Sequence, residues 1–106
     1  KNLKELNISF TGMSDLPYNI VKLKKLRFLD CHGNNLTKIS KELGELDNLQ
    51  TLYLMDNQIS AVDPNIKKLV YLEHMSLTGN RLTDDQIQVI KGLLPNCEVD
   101  GQFQRL

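Results

Sequence analysis

Leu26-Arg27-Phe28-Leu29-Asp30-Cys31-His32-Gly33-Asn34-Asn35-Leu36 is followed 23 residues later by Leu49-Gln50-Thr51-Leu52-Tyr53-Leu54-Met55-Asp56-Asn57-Gln58-Ile59. The two stretches share little except apolar residues at four matching places and an asparagine at a fifth. The same spacing extends outward in both directions. Leu3, Leu26, Leu49 and Leu72 form one column; Leu6, Leu29, Leu52 and Met75 a second; Ile8, Cys31, Leu54 and Leu77 a third. Four further columns start at Met13, Leu16, Ile20 and Leu23. Of the 28 positions in these seven columns 26 are apolar, where a 41% hydrophobic composition predicts about 11 or 12. The chain is a repeat.

Within each period the Leu-x-Leu step has the alternation of a strand with one buried face. A strand of about three to five residues per repeat would stack in parallel on the next, and the rest of the repeat would return the chain. Each coil then hides its leucines against its neighbours and cannot fold alone. Asn34, Asn57 and Asn80 fall where the strand ends and the chain turns inward. An amide there can satisfy the backbone groups that the turn leaves unpaired, which makes these three residues structural. Thr11 holds the same place in the first repeat, with a shorter side chain.

The fourth repeat departs from the pattern. Asp85 and Gly92 occupy apolar columns, while Ile87, Ile90, Leu93 and Leu94 follow helical spacing. Thr83-Asp84-Asp85-Gln86 reads as a capping box, so an α-helix of about ten residues is expected, ending before Pro95. Leu94, Cys97 and Val99 would restart the Leu-x-x-Leu-x-Leu frame after 22 residues and supply a fifth strand. Phe103 and Leu106 would fold back over that last coil. At the other end Leu3, Leu6 and Ile8 would form an open edge. It calls for an upstream cap removed from the chain, which starts at Lys1 without a methionine, or for self-association through that strand.

The frame Leu-x-x-Leu-x-Leu-x-x-Asn-x-Leu, with Leu16-Pro17 in the second half of the first copy, resembles the leucine-rich repeat family in its 23-residue form. The resemblance runs from Leu3 to about Val99. It implies a single α/β solenoid domain over residues 1–106, a short right-handed arc with a parallel concave sheet, short helical turns outside and a C-terminal α-helix. Its repeats would be about 3–25, 26–48, 49–71 and 72–93, with a half-repeat at 94–106. Thr83 to Val99, with Leu-Leu-Pro-Asn-Cys, resembles the closing repeat of bacterial leucine-rich proteins, which are often surface-exposed. Nothing in the composition shows export, and the compartment stays open.

Composition removes several functions. Lys+Arg and Asp+Glu are 13 each, so the net charge is zero and no basic surplus invites nucleic acid. No apolar run is longer than the four residues of Leu69 to Leu72, far short of the roughly 20 that span a bilayer. Lys22, Lys24, Lys25 and Arg27 form one basic run, read as a solvated rim. No phosphate-binding glycine loop and no His-Glu-x-x-His occurs.

The strand positions that alternate with the leucines line the concave face. They are expected to fall in three columns: Glu5, Phe28, Thr51, His74 and Asn96; Asn7, Asp30, Tyr53, Ser76 and Glu98; Ser9, His32, Met55, Thr78 and Asp100. Phe10, Gly33, Asp56 and Gly79 border the third. A solvated face carries polar residues, so aromatics and methionine at its centre point to binding. Phe28, Asp30, His32, Tyr53, Met55, Asp56 and His74 are therefore the candidate site for a protein partner. The competing reading has Phe28 and Tyr53 stacked diagonally and covering each other. Area tempers the binding reading. Five strands about 4.8 Å apart, four residues long, present roughly 300 Å² in projection, against about 800 Å² per partner in a standard interface.

Catalysis finds no support in this arrangement. His74 and Ser76 would stand about 6.8 Å apart on one strand with Asp30 about 10 Å away, too far for a triad. His32 and His74 fall in different columns, so no metal site forms, and no cofactor is expected. Cys31 and Cys97 take core columns about 14 Å apart, beyond disulfide reach. The expected function is a non-catalytic recognition or scaffold module; the alternative is a spacer or cap within a larger repeat array.

Overall fold

The computed structural model describes residues 2–101. Among them, seven short strands and one α-helix follow in order: β1 (Glu5–Asn7), β2 (Phe28–Asp30), β3 (Lys38–Ile39), β4 (Thr51–Tyr53), β5 (Ala61–Val62), β6 (His74–Ser76), α1 (Asp84–Leu93) and β7 (Glu98–Asp100). Strands β1, β2, β4, β6 and β7 make a five-stranded parallel sheet in that order. The first three successive pairs lie in 23-residue register, Leu6 against Leu29, Leu29 against Leu52 and Leu52 against Met75. The ladder runs past the strand ends, for Phe10 N donates to His32 O, Gly33 N to Met55 O and Asp56 N to Thr78 O at 3.0–3.1 Å. A second parallel pair, β3 with β5, lies in the return half of the second and third coils.

Three 3-10 helices, Tyr18–Lys22, Lys41–Glu45 and Pro64–Lys68, form the outer wall. The 3-10 form suits the place, since a tight five-residue rod spans the return with few residues. Between sheet and wall the core is aliphatic. All seven column residues of the second coil, Leu26, Leu29, Cys31, Leu36, Ile39, Leu43 and Leu46, are at most 3% exposed. Burial fades towards the first coil. Leu6, Ile8, Met13, Leu16 and Leu23 are half-buried and Leu3 is exposed, because β1 has a neighbour on one side only.

The fourth coil returns through α1 instead. Thr83 Oγ1 accepts from Gln86 N at 3.2 Å while Gln86 Oε1 accepts from Thr83 N at 2.9 Å, closing the capping box. Ile87, Ile90 and Leu94 face inward, and Val89, which the 23-residue period places inside, is exposed. Helical rotation explains this, since neighbouring residues point about 100° apart.

The last strand differs from the sequence expectation. β7 pairs His74 with Glu98, Met75 with Val99 and Ser76 with Asp100, an offset of 24 residues, not 22. Val99, not Cys97, continues the leucine column, and Cys97 falls one position before the strand, half-buried. A helix advances only about 1.5 Å per residue, so crossing the coil through α1 consumes more residues than the extended return does. Phe103 and Leu106 lie outside the described residues.

Candidate functional site

The concave face is shaped by what happens where each strand ends. Positions 10, 33, 56 and 79 all take left-handed backbone, with φ of 54° at Phe10, 72° at Gly33, 56° at Asp56 and 75° at Gly79. That bend swings the following asparagines inward. Asn34 Oδ1 accepts from Thr11 N (2.8 Å) and Gly12 N (2.9 Å), and its Nδ2 donates to Ile8 O and Cys31 O, both 2.9 Å. Asn57 accepts from Leu36 N and donates to Cys31 O and Leu54 O; Asn80 accepts from Ile59 N and donates to Leu54 O and Leu77 O. Each amide thus ties its own coil to the one before. Thr11 has one hydroxyl for the task, with Oγ1 3.1 Å from both Ile8 O in its own coil and Asn34 Oδ1 in the next.

On the face itself Phe28 and Tyr53 sit diagonally on β2 and β4, with ring centroids 5.4 Å apart and planes at 86°. This edge-to-face pair leaves both rings half-exposed. Met55 lies just beyond Tyr53, also half-exposed, and Asp56 next to it is exposed. Next to them Asp30 is buried, at 7% exposure. Its Oδ1 accepts from His32 N at 3.0 Å and lies 2.7 Å from His32 Nδ1, so Asp30 fixes the imidazole and does not itself reach the surface. His74, half-exposed, has Nδ1 3.6 Å from Glu98 Oε1. The 24-residue offset therefore puts Glu98 in the column of Phe28, Thr51 and His74, and Asp100 in that of Tyr53 and Ser76; Asn96 precedes the sheet.

Phe10 belongs to this surface, though the sequence reading placed it only at the border. It is 73% exposed, and its ring meets His32 edge-to-face at 4.7 Å. It also covers Gly33, where an added Cβ would collide with the ring; Asp56 covers Gly79 in the same way one step further on. The signal was the column Phe10, Gly33, Asp56, Gly79, in which residues with side chains alternate with glycines.

Among the described residues of this face, the polar side chains pair off without forming an acid–base or nucleophilic array. Ser76 Oγ donates to Asp100 Oδ2 at 3.3 Å while His74 faces Glu98, so His74 and Ser76 are engaged separately. Among the described residues no three His, Cys, Asp or Glu side chains converge on a point that could hold a metal. Both cysteines are free thiols. Burial, aided by the Asp30 charge, pushes the Cys31 thiol up to about 12, and burial with the Glu98 charge pushes Cys97 to about 11. Both therefore stay protonated near neutrality and are poor nucleophiles.

A right-handed stack of strand, inward asparagine and short outer helix is the architecture of a repeat solenoid. The chain matches the family profile for two-copy leucine-rich repeats over residues 1–46 and the leucine-rich repeat profile over residues 24–82. It belongs to the leucine-rich repeat family, whose domains typically serve as protein-interaction modules. Among solved structures it is similar to a leucine-rich repeat protein of Leptospira interrogans, at 36% identity and a TM-score of 0.88, over 92% of this chain and 25% of that one. It is also similar to an internalin, inlF, of Listeria monocytogenes, at 25% identity and 0.76, over 97% of this chain and 31% of that one. In sequence it is 37% identical to an adenylate cyclase of Schizosaccharomyces pombe over 97 residues, 92% of this chain and 6% of the cyclase. The chain thus spans a small part of each of these proteins. Among the described residues no helix is long and apolar enough to cross a membrane.

Proposed function

We propose that this solenoid is a non-catalytic recognition module that holds a protein partner on its concave face. The observation that carries the reading is the Phe28–Tyr53 pair, flanked by Met55, His32 and Phe10, half-exposed or exposed on three successive coils. Aromatic and methionine side chains held rigidly on strands expose area that loses little entropy on binding. Asp30 locks His32, and Asp56 and His74 supply polar contacts at the edge of the patch. Binding by this face alone is weak, because its area is below that of a standard interface. The chain acts as one repeat domain, and the unpaired side of β1 is where its sheet can continue into a further strand.

The test is site-specific photocrosslinking in extract of the source organism. A benzophenone amino acid at Tyr53 or Met55 should capture one discrete protein, identified by mass spectrometry, that the same group at Lys67 on the outer wall does not. Capture of that protein from Lys67 alone would favour the spacer reading and reject the concave site.

A further inference from the structure

We propose that a basic cup at the rim of the sheet receives a carboxylate-rich segment of that partner, an inference that rests on the protein-recognition reading. Lys4, Lys25, Arg27, Asn48, Gln50 and Tyr71 line a cavity of about 460 Å³. Lys4 and Arg27 stand one residue before the paired positions Glu5 and Phe28, and Gln50 one before Thr51, so the cup opens directly at the starts of β1, β2 and β4. Three cations meet there in a chain with no net charge. The lining holds no carboxylate, and none of the three cations has an ion-pair partner among the described residues.

The remaining lining is neutral and able to donate. Gln50 and Tyr71 are exposed, while Asn48 Nδ2 is already spent on Lys24 O at 2.7 Å. Arg27 offers a planar fork that pairs two oxygens of one carboxylate, and Lys4 and Lys25 are mobile point charges beside it. In the fourth coil the same column turns acidic at Glu73. The positive surface therefore ends at the third coil. The opposite rim, at the strand ends, carries Asp56 and Asp100. A chain lying across Phe28 and Tyr53 thus meets cations at one margin and anions at the other, which fixes its direction. Glutamate or aspartate side chains fit the cup end, held by several exposed contacts that are individually weak.

Fluorescence anisotropy with a labelled oligoglutamate peptide at low salt tests this. Wild-type protein should bind it, and Lys25→Glu with Arg27→Glu should weaken binding about tenfold. Lys22→Glu with Lys38→Glu makes the same change in net charge outside the cup and should leave affinity within about twofold. Equal loss in both double variants would show general charge attraction and overturn the proposal, as would displacement of the peptide by inorganic phosphate at stoichiometric concentration. Phe28→Ala with Tyr53→Ala should leave peptide binding intact. If that variant loses the crosslinked partner while the cup variant keeps it, the recognition face stands and the cup is rejected. If the cup variant loses both, the cup stands.

Discussion

The ring of Phe10 rests on the α-carbon of Gly33, one coil further along, and only glycine leaves room for it. Both residues are in left-handed backbone, with φ of 54° and 72°. Gly33→Ala therefore meets two penalties, a backbone strain of about 1–2 kcal/mol and displacement of the ring. In a Phe10→Ala background only the backbone part remains. A double-mutant cycle by urea unfolding should give a coupling of about 0.5–1 kcal/mol. Additive effects would mean that the ring does not sit there.

The asparagine ladder should weaken towards the N-terminus. Asn57→Ala removes an acceptor for Leu36 N and donors to Cys31 O and Leu54 O inside the core. The stranded groups should cost about 2–4 kcal/mol. Thr11→Ala removes one hydroxyl shared between Ile8 O and Asn34 Oδ1 at an exposed residue and should cost under about 1 kcal/mol. Midpoints of chemical denaturation report the ratio, and equal losses would contradict it.

Thr83→Ala breaks the capping box and should cost about 1 kcal/mol, since α1 is the outer wall of the fourth coil. Amide hydrogen exchange should rise in the first turn of α1 and in β7, which lies beside it. A uniform rise throughout the chain would contradict a local role.

The Cys31 thiol provides a pH signature. Its ordinary value is 9.0 and burial raises it to about 12 in the folded protein. Above pH 9 the unfolded chain releases this proton while the folded one keeps it. Stability is thus fully present below pH 9 and falls as pH rises towards 12, by about 1.4 kcal/mol per unit from this group. Cys31→Ala is less stable near neutrality, for it leaves a cavity, but its slope between about pH 9 and 11 should be shallower by that amount. Parallel slopes would show that Cys31 does not titrate as a buried thiol.

Much of the fold was legible because 23-residue spacing in a solenoid is also spatial adjacency. Leu29, Leu52 and Met75 are neighbours in both senses, and so are the concave residues Phe28, Asp30, Tyr53 and Ser76. The reading broke at α1, where helical rise replaces extended rise. Cys97 was counted into the strand and Val89 into the core on a period that no longer applied. On the face, composition identified Phe28 and Tyr53 but not the burial of Asp30, which follows from its two contacts to His32. It placed Phe10 only at the border, whereas the ring lies exposed over the glycine at Gly33. The cup at Lys4, Lys25 and Arg27 was hidden because its cations come from two coils, while the sequence showed only the run from Lys22 to Arg27.

The most direct test is the dissociation constant of the crosslinked partner for wild type and for Phe28→Ala with Tyr53→Ala. The edge-to-face contact is worth only about 0.5–1.5 kcal/mol, so the variant should stay folded by circular dichroism at the temperature of the titration. Its affinity should fall at least about 30-fold, equivalent to about 2 kcal/mol at an interface centre. Unchanged affinity in the folded variant would contradict recognition through the concave face.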